Sequence, residues 1–248
     1  MFKSFFIIAI KNTSNNSGGI ANLISEASIY RDILLADAED SYRLITLKEA
    51  FGMSFFLKNC YTQKLGKLNE SRLPLFIKMD EDVVINAIKF GELIRKLSER
   101  KEEAFIAGME LRSPYWGPNR EAGSRDFVPF DVYPHSRWLY DYVGGATYFI
   151  TAEACRMLFE YLKCLPAMII YDDVEIAGNL RERLKIPIIP LTRHWFPFGI
   201  QRDVLSAAYS NAITKEMENL IFVHYMPQLS DKNYKVIWDY FVKNQFFT

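Results

Sequence analysis

Apolar residues run from Phe5 to Ile10 and stop at the polar cluster Asn12 to Gly19, the pattern of a buried strand passing into a loop. Ile20, Leu23, Ile24 and Ala27 then recur at helical spacing. Asp32 to Leu35 predicts a second short strand, and Thr46 to Leu57 a helix with Leu47, Ala50, Phe51 and Phe55 on or near one face. Leu73 to Met79 is nearly all apolar between polar loops, as expected for a central strand covered on both faces of a parallel sheet. Asn86 is placed to cap a helix through Leu97 that turns Ile88, Leu93, Ile94 and Leu97 inward and leaves the charged run 95–103 in solvent.

From Arg112 to Tyr142 the periodicity lapses, prolines 118, 129 and 134 interrupt any long element, and aromatic residues are frequent. Long loops of this kind usually bind something or cover a site, so the segment is a candidate for acceptor recognition; its aromatics could equally form a satellite core. Gly144 and Gly145 lead into a strand at Ala146 to Ile150, and Thr151 can cap a helix carrying Cys155, Leu158, Phe159 and Leu162. Ile169, Ile170 and Tyr171 lead into Asp172-Asp173, after which Val174, Ala177, Leu180 and Leu184 continue at helical spacing. Ile186 to Leu191, interrupted by two prolines, reads as an edge strand. With no internal repeat and no flexible linker, the alternation predicts one α/β domain over residues 1–248.

Composition supports a packed core: of 248 residues, 50% are apolar and 15% aromatic. Thirty basic residues balance thirty acidic ones, which leaves no electrostatic footprint for nucleic acid or an anionic membrane surface. The run at Phe5 to Ile10 is far short of the roughly 20 residues that span a bilayer. As a signal peptide, Met1 to Ile10 has a lysine ahead of its apolar run but no convincing small-residue cleavage pattern after it. Cys60, Cys155 and Cys164 have neither zinc-knuckle nor redox spacing and read as small buried apolar residues. Asn12, Asn15 and Asn69 begin glycosylation sequons, which matter only in a secretory protein.

Candidate chemistry begins at Asp80-Glu81-Asp82, directly after the apolar run. In an extended segment, side chains two apart share a face, so Asp80 and Asp82 can converge while Glu81 turns aside. Magnesium or manganese takes such oxygens together with substrate phosphates, and open sheets bind ligands beyond the carboxyl ends of their strands. A metal site and a plain acidic loop both stand on this reasoning. At Asp172-Asp173 one carboxylate suffices to favour the helix start, which leaves the other available as a general base. Among the histidines, His135 falls in the proline-rich loop, His194 follows Thr192-Arg193, and His224 ends the apolar run Leu220 to Val223. A strand-end histidine is either a metal ligand or a hydrogen-bonded core residue.

In order, these segments resemble the β-1,3-galactosyltransferase and N-acetylglucosaminyltransferase family, glycosyltransferase family 31, which also includes the Fringe enzymes. Glu26 with Tyr30-Arg31-Asp32-Ile33-Leu34 is similar to E-x3-Y-x-D-I-L, and Asp40-Ser41-Tyr42-Arg43-Leu44-Ile45-Thr46-Leu47-Lys48 to D-S-Y-x-N-L-T-L-K. Lys78-Met79-Asp80-Glu81-Asp82-Val83-Val84-Ile85-Asn86 resembles K-x-D-D-D-V-F-V-N. Tyr133-Pro134 and Gly144-Gly145-Ala146-Thr147-Tyr148 resemble the Y-P and G-G-G-Y elements, and Tyr171 to Gly178 the E-D-V-x-x-G segment. His224-Tyr225 with Trp238 resembles the late histidine and W-x-x-L end.

The resemblance implies a GT-A fold, a Rossmann-like and mostly parallel central sheet flanked by helices, that binds a UDP-sugar and a divalent metal, normally manganese. It implies Asp82 as principal metal ligand, Asp80 in support, His224 as a further ligand, and Asp80, Glu81 and Asp82 together as the cofactor-binding run. Asp173 would be the general base of an inverting transfer of galactose or N-acetylglucosamine to a glycan acceptor, through a β-1,3 linkage. Asp172, Gly144, Gly145 and Tyr148 would contact substrate. Family members act in the Golgi lumen behind a membrane anchor, a stem and a first strand; this chain begins after them, as a shortened domain. Leu44, Glu81 and Asp172 depart from the family's asparagine, aspartate and glutamate. A catalytically inactive relative that binds glycans or acts as a chaperone is the second reading. A metal-dependent phosphohydrolase lacks the further His/Asp clusters it would need.

Overall fold

In the computed structural model, which describes residues 3–11, 17–39, 41–61, 73–113, 116–165, 168–191 and 220–224 together with residues 232, 235, 236, 238 and 239, the longest strand is β6, Tyr142–Thr151. It is bordered by β3, Leu75–Met79, on one side and β5, Ile106–Leu111, on the other, and β7, Ile188–Pro190, completes a sheet of order β3-β6-β5-β7. Successive residues of β6 face opposite layers, as a pleated strand requires. Tyr148 and Ile150 enter one apolar cluster with Ala50, Met53, Cys155, Leu158, Ile176 and Leu180. Phe149 enters the other, with Phe90, Leu93, Leu97, Phe105, Leu191 and Phe222.

Helices cover both layers. On the first lie α2, Ile45–Phe55, with a π-helical turn at Phe56–Tyr61, and α4, Ala152–Leu162, capped by the Thr151 side chain as its sequence predicts. A third helical stretch joins them: α5, Asp172–Val174, continues through a π-helical segment at Glu175–Leu180 into α6, Arg181–Arg183. On the second layer lies α3, Ala87–Ser98, capped by the Asn86 side chain on Lys89 N at 3.2 Å. Beside it a two-stranded sheet joins β4, Val83–Ile85, to β8, Phe222–His224. At the chain start, β1, Phe6–Lys11, pairs in parallel with β2, Ile33–Glu39, across α1, Ser17–Tyr30. Here α2 comes close enough that a methyl group on Gly52 would meet Ile7 Cδ1 at 2.7 Å.

Two expectations about the sheet are corrected. The sheet is mixed rather than mostly parallel: β6 runs antiparallel to both β3 and β5, and within this sheet only β5 and β7 are parallel. A parallel neighbour needs a crossover connection, whereas β5 and β6 are joined by a loop that leaves at Leu111 and returns at its cross-strand partner Tyr142. Second, β3 stands at the end of this sheet order, not at its centre. Since β3 and β5 both oppose β6, they point the same way, and the long loop emerges at the sheet end where β3 releases Asp80.

Smaller differences follow from which face each helix buries. Leu47, Phe51, Ile88 and Ile24 are exposed, and Thr46, Glu49 and Phe90 are buried in their stead. Gly144 and Gly145 lie inside β6, where the sheet ladder extends the apolar run. All three cysteines are free; Cys155 is buried as expected, but Cys60 is half-buried and Cys164 exposed. Met1, Asp40, His194, Tyr225 and the sequons at Asn12, Asn15 and Asn69 lie outside the described residues.

The loop between β5 and β6 is ordered by Arg120. Its guanidinium donates to the carbonyls of Val128, Tyr133 and His135, the last two at 2.6 Å, while its plane covers Phe130 at 4.1 Å. Val128, Tyr133, Trp138 and Tyr142 pack with Ile169 and Val174 as a satellite core, so the loop aromatics do form one. Arg120→Ala leaves these carbonyls without a charged donor, at a cost of about 1.5–3 kcal/mol. We expect faster amide exchange across 119–138 with β3 and β6 unchanged; unaltered exchange in the loop would contradict the assignment.

Candidate functional site

Asp80 leaves β3 with its amide bonded to Ala146 O at 2.9 Å, and the chain turns at once, with Val83 N donating to Asp80 O at 3.3 Å. Asp80 and Asp82 therefore converge through a tight turn, not through strand alternation as the sequence suggested. Glu81 is exposed at the turn and outside the cluster. β4 follows and pairs with β8 so that Val83 lies opposite His224. His224 Nε2 is 3.2 Å from Asp82 Oδ1 and 4.0 Å from Asp80 Oδ2, and the three residues bring ligand atoms within 4.8 Å of one another. Two carboxylates and an imidazole form a donor set that suits manganese or a similar divalent cation. Each side chain is about one-third exposed, at 34, 37 and 35% for Asp80, Asp82 and His224, which leaves the cluster accessible from solvent.

Beneath it lies Lys78, read from sequence only as part of a motif. Its side chain is 12% exposed, and its ammonium sits 2.5 Å from Asp80 Oδ1, donates to the carbonyl of Gly145 and is 3.3 Å from Asp172 Oδ2. Burial lowers its proton affinity, but Asp172, Asp80 and Glu49 more than offset this and hold it charged. Engaging Oδ1 of Asp80 turns Oδ2 toward His224. Asp80 itself is raised by burial, with Lys78 acting in the opposite direction.

On the far side of Lys78 is the second acidic pair. The Thr46 hydroxyl donates to Ile169 O at 2.9 Å and the Glu175 carboxylate accepts from Ile169 N at 3.1 Å, which fixes the approach to α5. Asp172 and Asp173 occupy the first helical turn; Tyr171 stands at the cap position and makes no side-chain cap. Asp173 Oδ2 accepts from Gly145 N at 3.0 Å and Oδ1 from Val174 N at 2.8 Å. A methyl group at 145 would lie 3.2 Å from Asp173 Oδ2, so a side chain there would displace that carboxylate by a few tenths of an ångström. Gly144 is buried between Met109 and Leu111. Tyr148 is fully buried with its hydroxyl on Glu49, so it supports the site from below instead of facing a substrate.

The long loop flanks this pair. Tyr171 donates to Asp126 Oδ2 at 3.0 Å, and neighbouring Arg125 covers the ring of Tyr42 at 4.5 Å. Tyr42 lies near enough to Asp172 and Asp173 that both raise its phenol, after the larger effect of burial. His135 is exposed and stacked edge-on against Tyr133. Sequence reading missed Glu49, whose one signal is a charge on the helix face shared with Thr46, Ala50 and Met53.

A match to the galactosyltransferase family covers residues 1–192, and with it both acidic runs. The chain belongs to this family. It is 25% identical over 201 residues to the mouse protein named β-1,3-galactosyltransferase 1, which covers 78% of this chain and 56% of that relative. It is 21% identical over 225 residues to Xenopus laevis lactosylceramide 1,3-N-acetyl-β-D-glucosaminyltransferase B, covering 90% of this chain and 55% of the relative. The chain thus spans about half the length of the curated relatives it matches. His224 lies beyond the matched segment, and its place beside Asp80 and Asp82 comes from strand pairing. No helix among the described residues of this galactosyltransferase-family chain is long and apolar enough to cross a membrane.

Burial, then the adjacent Asp172, raises Asp173 to about 7, with Lys78 pulling the other way. The folded chain therefore keeps a proton that the unfolded chain loses near its ordinary value of roughly 4. The stability this carboxyl contributes is complete below that value and is lost as pH rises through about 7. Melting temperature should fall more steeply from about pH 4 to about pH 8 in the wild type than in Asp173→Asn. Parallel melting curves against pH would rule out the raised carboxyl.

Proposed function

We propose that the protein transfers a hexose, galactose or N-acetylglucosamine, from a UDP-sugar to a hydroxyl of a glycan acceptor, forming a β-1,3 linkage with inversion at the sugar carbon. The observation that carries this reading is the juxtaposition, through Lys78, of an Asp80-Asp82-His224 cluster and an Asp172-Asp173 pair in a chain of the galactosyltransferase family. The names of the relatives support the linkage. The wider setting follows the family: a GT-A type of fold and action on glycans in the Golgi lumen.

In this mechanism Asp82, Asp80 and His224 would hold a divalent cation, manganese in the first instance, which would supply positive charge to offset that building on the departing diphosphate. Asp173 is the general base. Its two backbone hydrogen bonds fix the carboxylate's position, and a value near 7 poises it to accept a proton at neutral pH. The acceptor hydroxyl attacks the sugar carbon as its proton passes to Asp173, the bond to UDP breaks on the opposite face, and inversion follows without a covalent enzyme intermediate. Arg125, Tyr42 and the loop around them are positioned to meet the acceptor. Asp172, paired with Lys78, keeps the base and the metal cluster at a fixed separation.

The test is UDP release from UDP-galactose and from UDP-N-acetylglucosamine with manganese and β-linked sugar acceptors. Asp173→Asn should lower kcat by about 10²–10⁴-fold and change the donor KM little. Turnover that is indifferent to this substitution refutes the assignment of the base. Acceptor binding without any turnover favours a non-catalytic relative.

A further inference from the structure

Glu49 carries a carboxyl into the core from a helix face shared with buried Thr46, Ala50 and Met53. Its Oε2 accepts the Tyr148 hydroxyl at 2.5 Å. Its Oε1 is buried and makes no hydrogen bond, and neither does Asp172 Oδ2, which meets Lys78 as an ion pair at 3.3 Å. The two carboxyls lie within hydrogen-bonding reach of each other. Two buried acceptors side by side repel if both are ionised, and one proton between them satisfies both.

The charges around the pair lead to the same result. From β3, Lys78 is a single cation that faces Asp80, Asp172 and Glu49, so the carboxylates outnumber it. From α5, Asp172 opposes a charge on Glu49, and burial opposes it more strongly. From β6, Tyr148 is raised by burial and then by Glu49, so it keeps its proton and can only donate it to the glutamate oxygen. From α4, Cys155 is raised in the same way and remains a thiol. Asp172 retains its ion pair with Lys78, which places the shared proton on Glu49.

We propose that Glu49 is a positioning residue of the transfer site: a carboxylic acid that accepts from Tyr148 and donates to Asp172, and so holds the Asp172-Asp173 turn against Lys78. The effect on catalysis rests on the glycosyl-transfer reading above; the protonated state does not. Glu49 is outside the Asp80-Asp82-His224 cluster and acts on the site through Asp172 and Lys78.

Two variants and one spectroscopic readout on the full chain test this. Glu49→Gln keeps one acceptor and one donor in the same shape, whereas Glu49→Leu keeps bulk and loses both. With UDP-galactose or UDP-N-acetylglucosamine and manganese, Glu49→Gln should keep kcat within about threefold of wild type, while Glu49→Leu loses about 10–100-fold in kcat at nearly constant donor KM. A carbon-13 NMR titration of labelled glutamate, with the Glu49 signal assigned by its loss in Glu49→Gln, should show a carboxyl that is still neutral where the exposed glutamates of the chain have ionised. An ionised signal at neutral pH overturns the proposal, as does a Glu49→Gln variant as impaired as Glu49→Leu, or a Glu49→Leu variant with wild-type kcat. Should Glu49→Leu not fold, Glu49→Gln and the NMR signal decide. A wild type that turns over neither donor contradicts the transfer reading, and the NMR signal then decides the state of Glu49 by itself.

Discussion

The architecture of the site depends on the buried ammonium of Lys78. A lysine pointing inward from a strand is costly unless its charge is answered, and here Asp80, Asp172 and the Gly145 carbonyl answer it together. Those three groups come from the end of β3, the start of α5 and the first half of β6. One cation thereby fixes the distance between an accessible acidic turn and a buried acidic pair. Its partners carry more negative charge than it can neutralise. Excess charge of that kind favours a divalent cation on the open side and protons on the closed side, where Asp173 is raised to about 7.

Sheet topology brings the groups to one place. Because β3 and β5 both run against β6, the turn after β3, the loop after β5 and the two glycines near the start of β6 meet at one end of the sheet. Helix α5 packs over the same end, where Gly145 has no side chain to keep Asp173 from the strand backbone. His224 reaches the turn by a separate route, through the short β4–β8 pairing. The loop held by Arg120 then flanks the carboxylates with Arg125 over Tyr42, a boundary built from backbone carbonyls and packed aromatics.

Much of this was legible in the chain. The apolar runs at Phe5, Leu73 and Ala146 marked strands because a strand covered on both faces leaves no room for polar residues, and Asn86 and Thr151 marked helix starts because their side chains satisfy free amides. Strand direction was not legible: an apolar run reads the same whether its neighbour is parallel or antiparallel, and the pairing of Leu111 with Tyr142 is a long-range fact. The acidic residues of the site were singled out from their place after strands and before helices. What joins them was not. Lys78 reads as a lone charge in a strand and Glu49 as an ordinary helix glutamate; the burial of Glu49 appears only once α2 is laid against β6, and the partners of Lys78 only once β3, β6 and α5 meet.

The most direct measurement is a calorimetric titration of the folded chain with UDP, with and without manganese, on the wild type and on Asp82→Ala. If Asp80, Asp82 and His224 hold a metal that receives a nucleotide diphosphate, the wild type binds UDP with manganese and far more weakly without it, and Asp82→Ala loses the manganese-dependent part. UDP binding that is equally strong without manganese, or that survives unchanged in Asp82→Ala, would contradict the account.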